Sequence, residues 1–106
     1  MQQVDPRRPD DRFVAHPGLV SRRIADETIL VPVSSKVGDL DAVYTLSPVG
    51  SSLWMLLQQP VSLRQMIDAV CAEYDTEADT AAADLTAFLN TLLEKRLIDP
   101  SGPGEA

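Results

Sequence analysis

The spacing of apolar residues changes once along the chain, from a strand-like period to a helix-like period. Three short segments rich in apolar and β-branched residues come first, at residues 20–24, 28–33 and 42–46. Ala25, Asp26 and Glu27 fit a tight turn between the first two segments. Pro32 cannot donate a backbone hydrogen bond, so its side of the strand should face an edge or a bulge. The pattern predicts a small antiparallel meander.

From Ser47 onward, apolar residues recur at helical spacing. Ser47 and Pro48 suit the N-cap and first position of a helix that Pro60 ends. Ser62 and Gln65 match a capping box, which starts a second helix. The third helix carries its apolar stripe at Ala81, Leu85, Phe88, Leu89, Leu92 and Leu93. Three strands followed by three helices predict an α+β domain.

The two ends of the chain differ in composition from its middle. Residues 1–17 contain three prolines, many charges and few large apolar side chains, which is typical of a flexible N-terminal arm. Residues 99–106 are rich in proline and glycine and predict a flexible C-terminal tail. We therefore expect the ordered domain to span residues 18–98.

The charge of the predicted domain is strongly negative. The chain has 16 acids and 9 bases, a net charge of −7, but residues 1–23 hold five of the bases and only three of the acids. The remaining residues therefore carry a net charge of −9. Since binding to nucleic acid needs clustered bases, this domain should repel it. The same field favours a basic peptide or a basic protein surface.

The residue types that carry catalysis and metal binding are scarce. His16 is the single histidine and Cys71 the single cysteine, so neither a zinc site nor a nucleophile–base pair is indicated. The acids between residues 68 and 84 lack calcium-loop spacing, and the five glycines form no phosphate-binding loop. No enzymatic activity and no cofactor are therefore expected.

The start of the chain shows no apolar secretory segment, and no apolar run approaches the length of a membrane span. These absences predict a cytoplasmic protein that does not bind membranes.

An edge strand beside a helix flank is the best candidate site. An uncovered edge can accept another chain as an added strand, with pockets for alternate side chains. The candidate strand consists of Ala42, Val43, Tyr44, Thr45 and Leu46. The candidate helix flank consists of Asp84, Phe88, Thr91 and Lys95, spaced at i, i+4, i+7 and i+11. The same flank also fits an ordinary amphipathic boundary, and Tyr44 fits cross-strand packing.

Three blocks of sequence resemble the PqqD-like family. Residues 44–57 resemble its Leu-Asn-x-x-Gly-x-x-Ile-Trp-x-Leu-Leu segment, with Gly50 and Trp54 at the matching positions. Residues 23–33 resemble the family's first hairpin, and residues 84–93 its Asp-Val-x-x-Phe-Leu-x-x-Leu helix. Ser47 stands where asparagine is commoner in the family, and Arg96 where a glycine is common.

The resemblance implies a winged-helix-like fold of three strands and three helices. It also implies a peptide chaperone, a precursor-peptide recognition element of ribosomally made natural products. Such domains bind the leader segment of a precursor peptide and present it to a modifying enzyme, such as a radical SAM enzyme, a cyclase or a leader protease. The leader would lie as an added strand on residues 42–46, against the helix flank defined above.

Two other functions fit the same sequence. A small docking subunit could sit on a biosynthetic enzyme without binding its substrate. A winged-helix DNA-binding regulator would share the architecture but would need a basic recognition helix, and the third predicted helix has no base before Lys95. A homodimer formed through the open strand edge is a further alternative.

Overall fold

The polypeptide folds into two small antiparallel sheets and three helices. The computed structural model describes residues 4–32 and 44–102. The elements, in chain order, are β1 Arg12–Ala15, β2 Leu19–Ile24, β3 Glu27–Pro32, β4 Tyr44–Leu46, α1 Pro48–Leu56, β5 Val61–Ser62, α2 Leu63–Glu73, α3 Ala78–Glu94 and β6 Ile98–Pro100. The predicted α+β class, with a three-stranded antiparallel sheet before three helices, is confirmed. Ala42 and Val43 lie outside the described residues.

The predicted meander is the sheet with strand order β2-β3-β4. A two-residue turn joins β2 to β3, and Ala25 in that turn takes a positive φ of 56°. In β3, Ile29 pairs with Thr45 and Leu30 pairs with Tyr44. Leu30 is buried, so this face of the sheet packs on the core.

Two capping motifs fix where α1 and α2 begin. The Ser47 hydroxyl accepts from the Gly50 amide at 3.2 Å, with Pro48 at the first helical position. In the capping box, the Gln65 amide donates to Ser62 Oγ at 3.1 Å, and the Ser62 amide donates to Gln65 Oε1 at 2.9 Å. Both predicted starts are confirmed. Because α1 begins two residues after Leu46, the helix holds β4 in place.

The core lies between the helices and the inner faces of the sheets. Trp54, which matches the tryptophan of the family segment, is 3% exposed and is a core residue. The largest fully buried side chains are Leu30, Leu46, Leu57, Leu63, Met66, Leu89, Leu92, Ile98 and Ser51. No helix in the described ranges is long and apolar enough to cross a membrane.

A second sheet, with strand order β5-β1-β6, has no counterpart in the sequence expectation. β1 lies in its centre, and Phe13 is paired on one side with Val61 and on the other with Pro100. The Phe13 side chain is only 5% exposed. The composition of residues 1–17 predicts an arm, whereas the structure places β1 in a sheet, because Phe13 supplies a buried anchor.

Polar contacts also attach this N-terminal segment to the helices. The Arg64 Nε donates to Asp10 Oδ1 at 2.7 Å, and the Arg64 amide donates to Pro9 O at 2.8 Å. The hydrogen bond from Arg64 lowers the pKa of the Asp10 carboxyl. The Val4 amide donates to Asn90 Oδ1 at 2.7 Å, which connects the segment to α3.

The C-terminal end of α3 is a Schellman motif without its usual glycine. The Leu97 amide donates to Leu92 O at 2.9 Å, and the Arg96 amide donates to Leu93 O at 3.0 Å. Arg96 takes a φ of 60°, which is the left-handed conformation that favours glycine. The departure from the family pattern at Arg96 is therefore a place where the backbone is strained.

We expect Arg96→Gly to raise the free energy of unfolding by about 0.5–1 kcal/mol, since glycine relieves the left-handed strain at a small entropic cost. Urea unfolding measures the change. Lys95→Gly is the matched control, because Lys95 has a negative φ of −87° and should gain nothing from glycine. A variant at residue 96 that is no more stable than the wild type would contradict the prediction.

Candidate functional site

The start of β4 and the C-terminal end of α3 are in contact through one pair of side chains. The Lys95 Nζ lies 5.3 Å from the centre of the Tyr44 ring, in cation–π geometry. Tyr44 is half-buried, and Lys95 is exposed. The C-terminal end of α3 therefore meets the first described residue of β4.

At the other end of β4, a glycine brings α1 close to both elements. A Cβ on Gly50 would lie 3.4 Å from the Leu46 Cβ and 3.5 Å from the Phe88 Cε1. The Phe88 ring and the Leu46 side chain therefore both lie close to Gly50 of α1. The end of β4 at Leu46 therefore lies near the middle of α3. We call the surface formed by Tyr44, Asp84, Phe88, Thr91 and Lys95 the β4–α3 groove.

The predicted site residues differ in how far they are accessible. On β4, Thr45 is exposed, whereas Leu46 is 2% exposed and offers only its backbone to the strand edge. On α3, Asp84 is exposed and Phe88 is half-buried. Thr91 is also half-buried, and its hydroxyl donates to Ala87 O at 3.1 Å. Two residues of the predicted flank, Phe88 and Lys95, lie near β4, while peptide contact by the predicted site residues stays a prediction.

The outer edge of β4 is the second feature of the site. β4 pairs with β3 on one side, and no other strand in the described part of the chain pairs with it. An unpaired strand edge presents backbone donors and acceptors to an incoming chain. Within the described residues, the site therefore combines an unpaired backbone edge of β4 with side chains from α3.

A cavity of about 290 Å³ adjoins the groove and was not predicted from the sequence. Asp84 and Phe88 line it together with residues of α1 and α2. Val49 and Tyr74, which also line it, are 46% and 38% exposed although they are largely apolar. The sequence places these two residues on separate helices, and only the arrangement of the helices brings them together.

The charges of the site are few and well separated. Among the described residues, the Asp84 carboxylate makes no hydrogen bond or ion pair, and Lys95 contacts the Tyr44 ring. The same residues contain no group of three or more His, Cys, Asp or Glu that could hold a metal ion. This arrangement suits binding of an extended chain with polar contacts at two points.

One known family matches most of this architecture. The family described as coenzyme PQQ synthesis protein D (PqqD) matches residues 27–98, from the start of β3 to the start of β6. The chain belongs to the PqqD family. The PqqD match includes β4 and α3, so both walls of the groove belong to the family domain. The resemblance stated from the sequence is confirmed.

A solved structure also resembles this PqqD-family chain. It is TbiB1 in complex with the TbiA(beta) leader peptide, with a TM-score of 0.69 and 30% sequence identity. The likeness covers 87% of this chain and 99% of the other chain. No curated protein matches this chain.

Proposed function

We propose that this protein is a precursor-peptide recognition element, which binds the leader segment of a ribosomally made precursor peptide. Two findings support the proposal: the chain belongs to the PqqD family, and it resembles TbiB1, whose structure holds a leader peptide. The observation that carries the proposal is the open edge of β4 beside α3. The leader adds to that edge as a strand, and its side chains contact Tyr44, Phe88, Thr91 and Lys95.

Strand addition accounts for useful affinity without a deep pocket. Each main-chain hydrogen bond contributes about 1 kcal/mol net, and side chains buried against Phe88 and Tyr44 add more. Ordering the leader opposes part of this gain. We therefore expect a dissociation constant between micromolar and nanomolar, which corresponds to a binding free energy of about 8–12 kcal/mol.

The domain's own role is binding rather than catalysis, and it presents the bound precursor to a modifying enzyme. A radical SAM enzyme, a cyclase or a leader protease would suit this role. A basic partner surface would also suit the acidic body of the domain. The protein acts in the cytoplasm, where precursor and enzyme meet.

The first test is fluorescence polarisation with labelled peptides of about 30 residues, taken from short open reading frames beside the gene. We expect sequence-dependent binding that Tyr44→Asp weakens by about tenfold or more, because the new carboxylate replaces an aromatic contact beside the strand edge. Ile24→Asp is the matched control. It adds the same charge on β2, where Ile24 is 57% exposed.

Circular dichroism confirms that each variant is folded before binding is measured. Binding lost in Tyr44→Asp and kept in Ile24→Asp supports the proposed site. A folded wild type that binds none of the neighbouring peptides would contradict leader recognition and favour a docking subunit. An equal loss of peptide affinity in both variants would mean that the peptide does not bind at Tyr44.

A further inference from the structure

We infer that the β4–α3 groove selects peptides by charge. The preferred peptide carries a Lys or Arg, followed four or six residues towards its C-terminus by an Asp or Glu. The inference rests on the proposed function and specifies which peptides the site prefers. Its basis is the placement of Asp84 and Lys95 at opposite ends of the same helix face.

The helix geometry sets the spacing between the two charges. Eleven residues separate Asp84 from Lys95, which is close to three full turns, so both side chains lie on one face. At a rise of about 1.5 Å per residue, the two positions are about 16 Å apart along the axis. An extended peptide covers this distance in about five residues. Because alternate side chains face the helix, the matching peptide residues are four or six apart.

The Lys95 end of the groove suits an acidic side chain. The ammonium group lies over the Tyr44 ring, which fixes its position at the strand edge. α3 has no base in its last turn, and Lys95 directly follows the helix. An Asp or Glu of the peptide therefore meets a cation whose position is fixed by the Tyr44 ring.

The Asp84 end suits a long basic side chain. Asp84 lines the cavity, and so do the apolar residues Leu53 and Val70. The side chain of Lys or Arg combines an apolar stem with a charged head, so its stem can lie along apolar surface while its head reaches a carboxylate. Asp84 has no ion-pair partner within the described ranges, which leaves its charge available to a ligand.

The direction of β4 gives the order of the two charges. From Tyr44 to Leu46 the strand runs from the Lys95 end of α3 towards Phe88, and Ser47 lines the cavity together with Asp84. All pairs in this sheet are antiparallel. A peptide added in the same antiparallel sense enters at Asp84 and leaves at Lys95, so its basic residue comes first.

The test uses the full chain and a random 12-residue peptide library selected by mRNA display at low salt. We expect peptides enriched on the wild type to carry a base followed by an acid at the stated spacing. On Lys95→Glu, the preferred second residue should change from acidic to basic. A synthetic wild-type binder should lose about fivefold to tenfold in affinity for this variant, because an exposed attraction becomes a repulsion.

Arg22→Glu is the matched control, since it changes the net charge equally from an exposed position on β2. It should leave the selected pattern and the affinity unchanged. The inference would be overturned if the enriched peptides lacked the charge pattern or carried the acid before the base. It would also be overturned if both variants lost affinity for the wild-type binder equally. Each of these results would leave leader binding intact. A library that yields no binding peptide would overturn the proposed function as well.

Discussion

Leu46→Ala is expected to lower the free energy of unfolding by about 2–5 kcal/mol, the range for removing a fully buried leucine side chain. Leu46 is 2% exposed and close to both Gly50 and Phe88, so truncation leaves a cavity where β4, α1 and α3 meet. Chemical denaturation followed by circular dichroism measures the loss. The neighbouring Thr45→Ala is the control, because Thr45 is exposed and its truncation leaves no cavity.

Peptide affinity separates the two roles that a residue of β4 could have. While Leu46→Ala remains folded, it should bind peptide within about threefold of the wild type, since its side chain faces the core and its backbone remains at the edge. A loss as large as that of Tyr44→Asp, with the fold intact, would show that Leu46 contacts the peptide directly.

Phe13→Ala is expected to cost about 3–5 kcal/mol in unfolding free energy, as is typical for a buried phenylalanine. Phe13 is the buried anchor of β1, which lies between β5 and β6 and connects the N-terminal segment to the rest of the chain. Loss of this anchor should weaken both strand pairings. Urea unfolding at constant temperature measures the change.

Val14→Ala is the matched control for this second prediction. Val14 is the next residue of β1 and is half-buried, and its side chain points to the other face of the sheet. Its truncation should cost less than half as much. A Phe13→Ala variant as stable as the wild type would mean that residues 1–17 behave as the arm that their composition predicts.

Local signals in the sequence account for the elements that were predicted correctly. The caps at Ser47 and Ser62 depend on residues within three positions, and the β2–β3 hairpin depends on a two-residue turn. Helical periodicity also groups Phe88 and Lys95 on one flank of α3, and Lys95 of that flank contacts Tyr44 of β4. Peptide binding there stays a prediction. These features do not require knowledge of distant contacts.

Features that depend on distant contacts were missed. β1 is four residues long, and its partners β5 and β6 lie far away in the sequence. A segment this short, surrounded by prolines and charges, carries too little periodicity to predict a strand. The cavity similarly needs Val49 and Tyr74 to meet from different helices, and nothing local to either residue encodes this meeting.

The burial of Trp54 has a practical optical consequence. It is the single tryptophan of the chain, and its indole Nε1 has no hydrogen-bond partner among the described residues. An indole in such apolar surroundings fluoresces at shorter wavelength than one in water, so unfolding should shift its emission to the red. The protein therefore carries its own fluorescent reporter, positioned in α1 within the core, and needs no added label to follow unfolding.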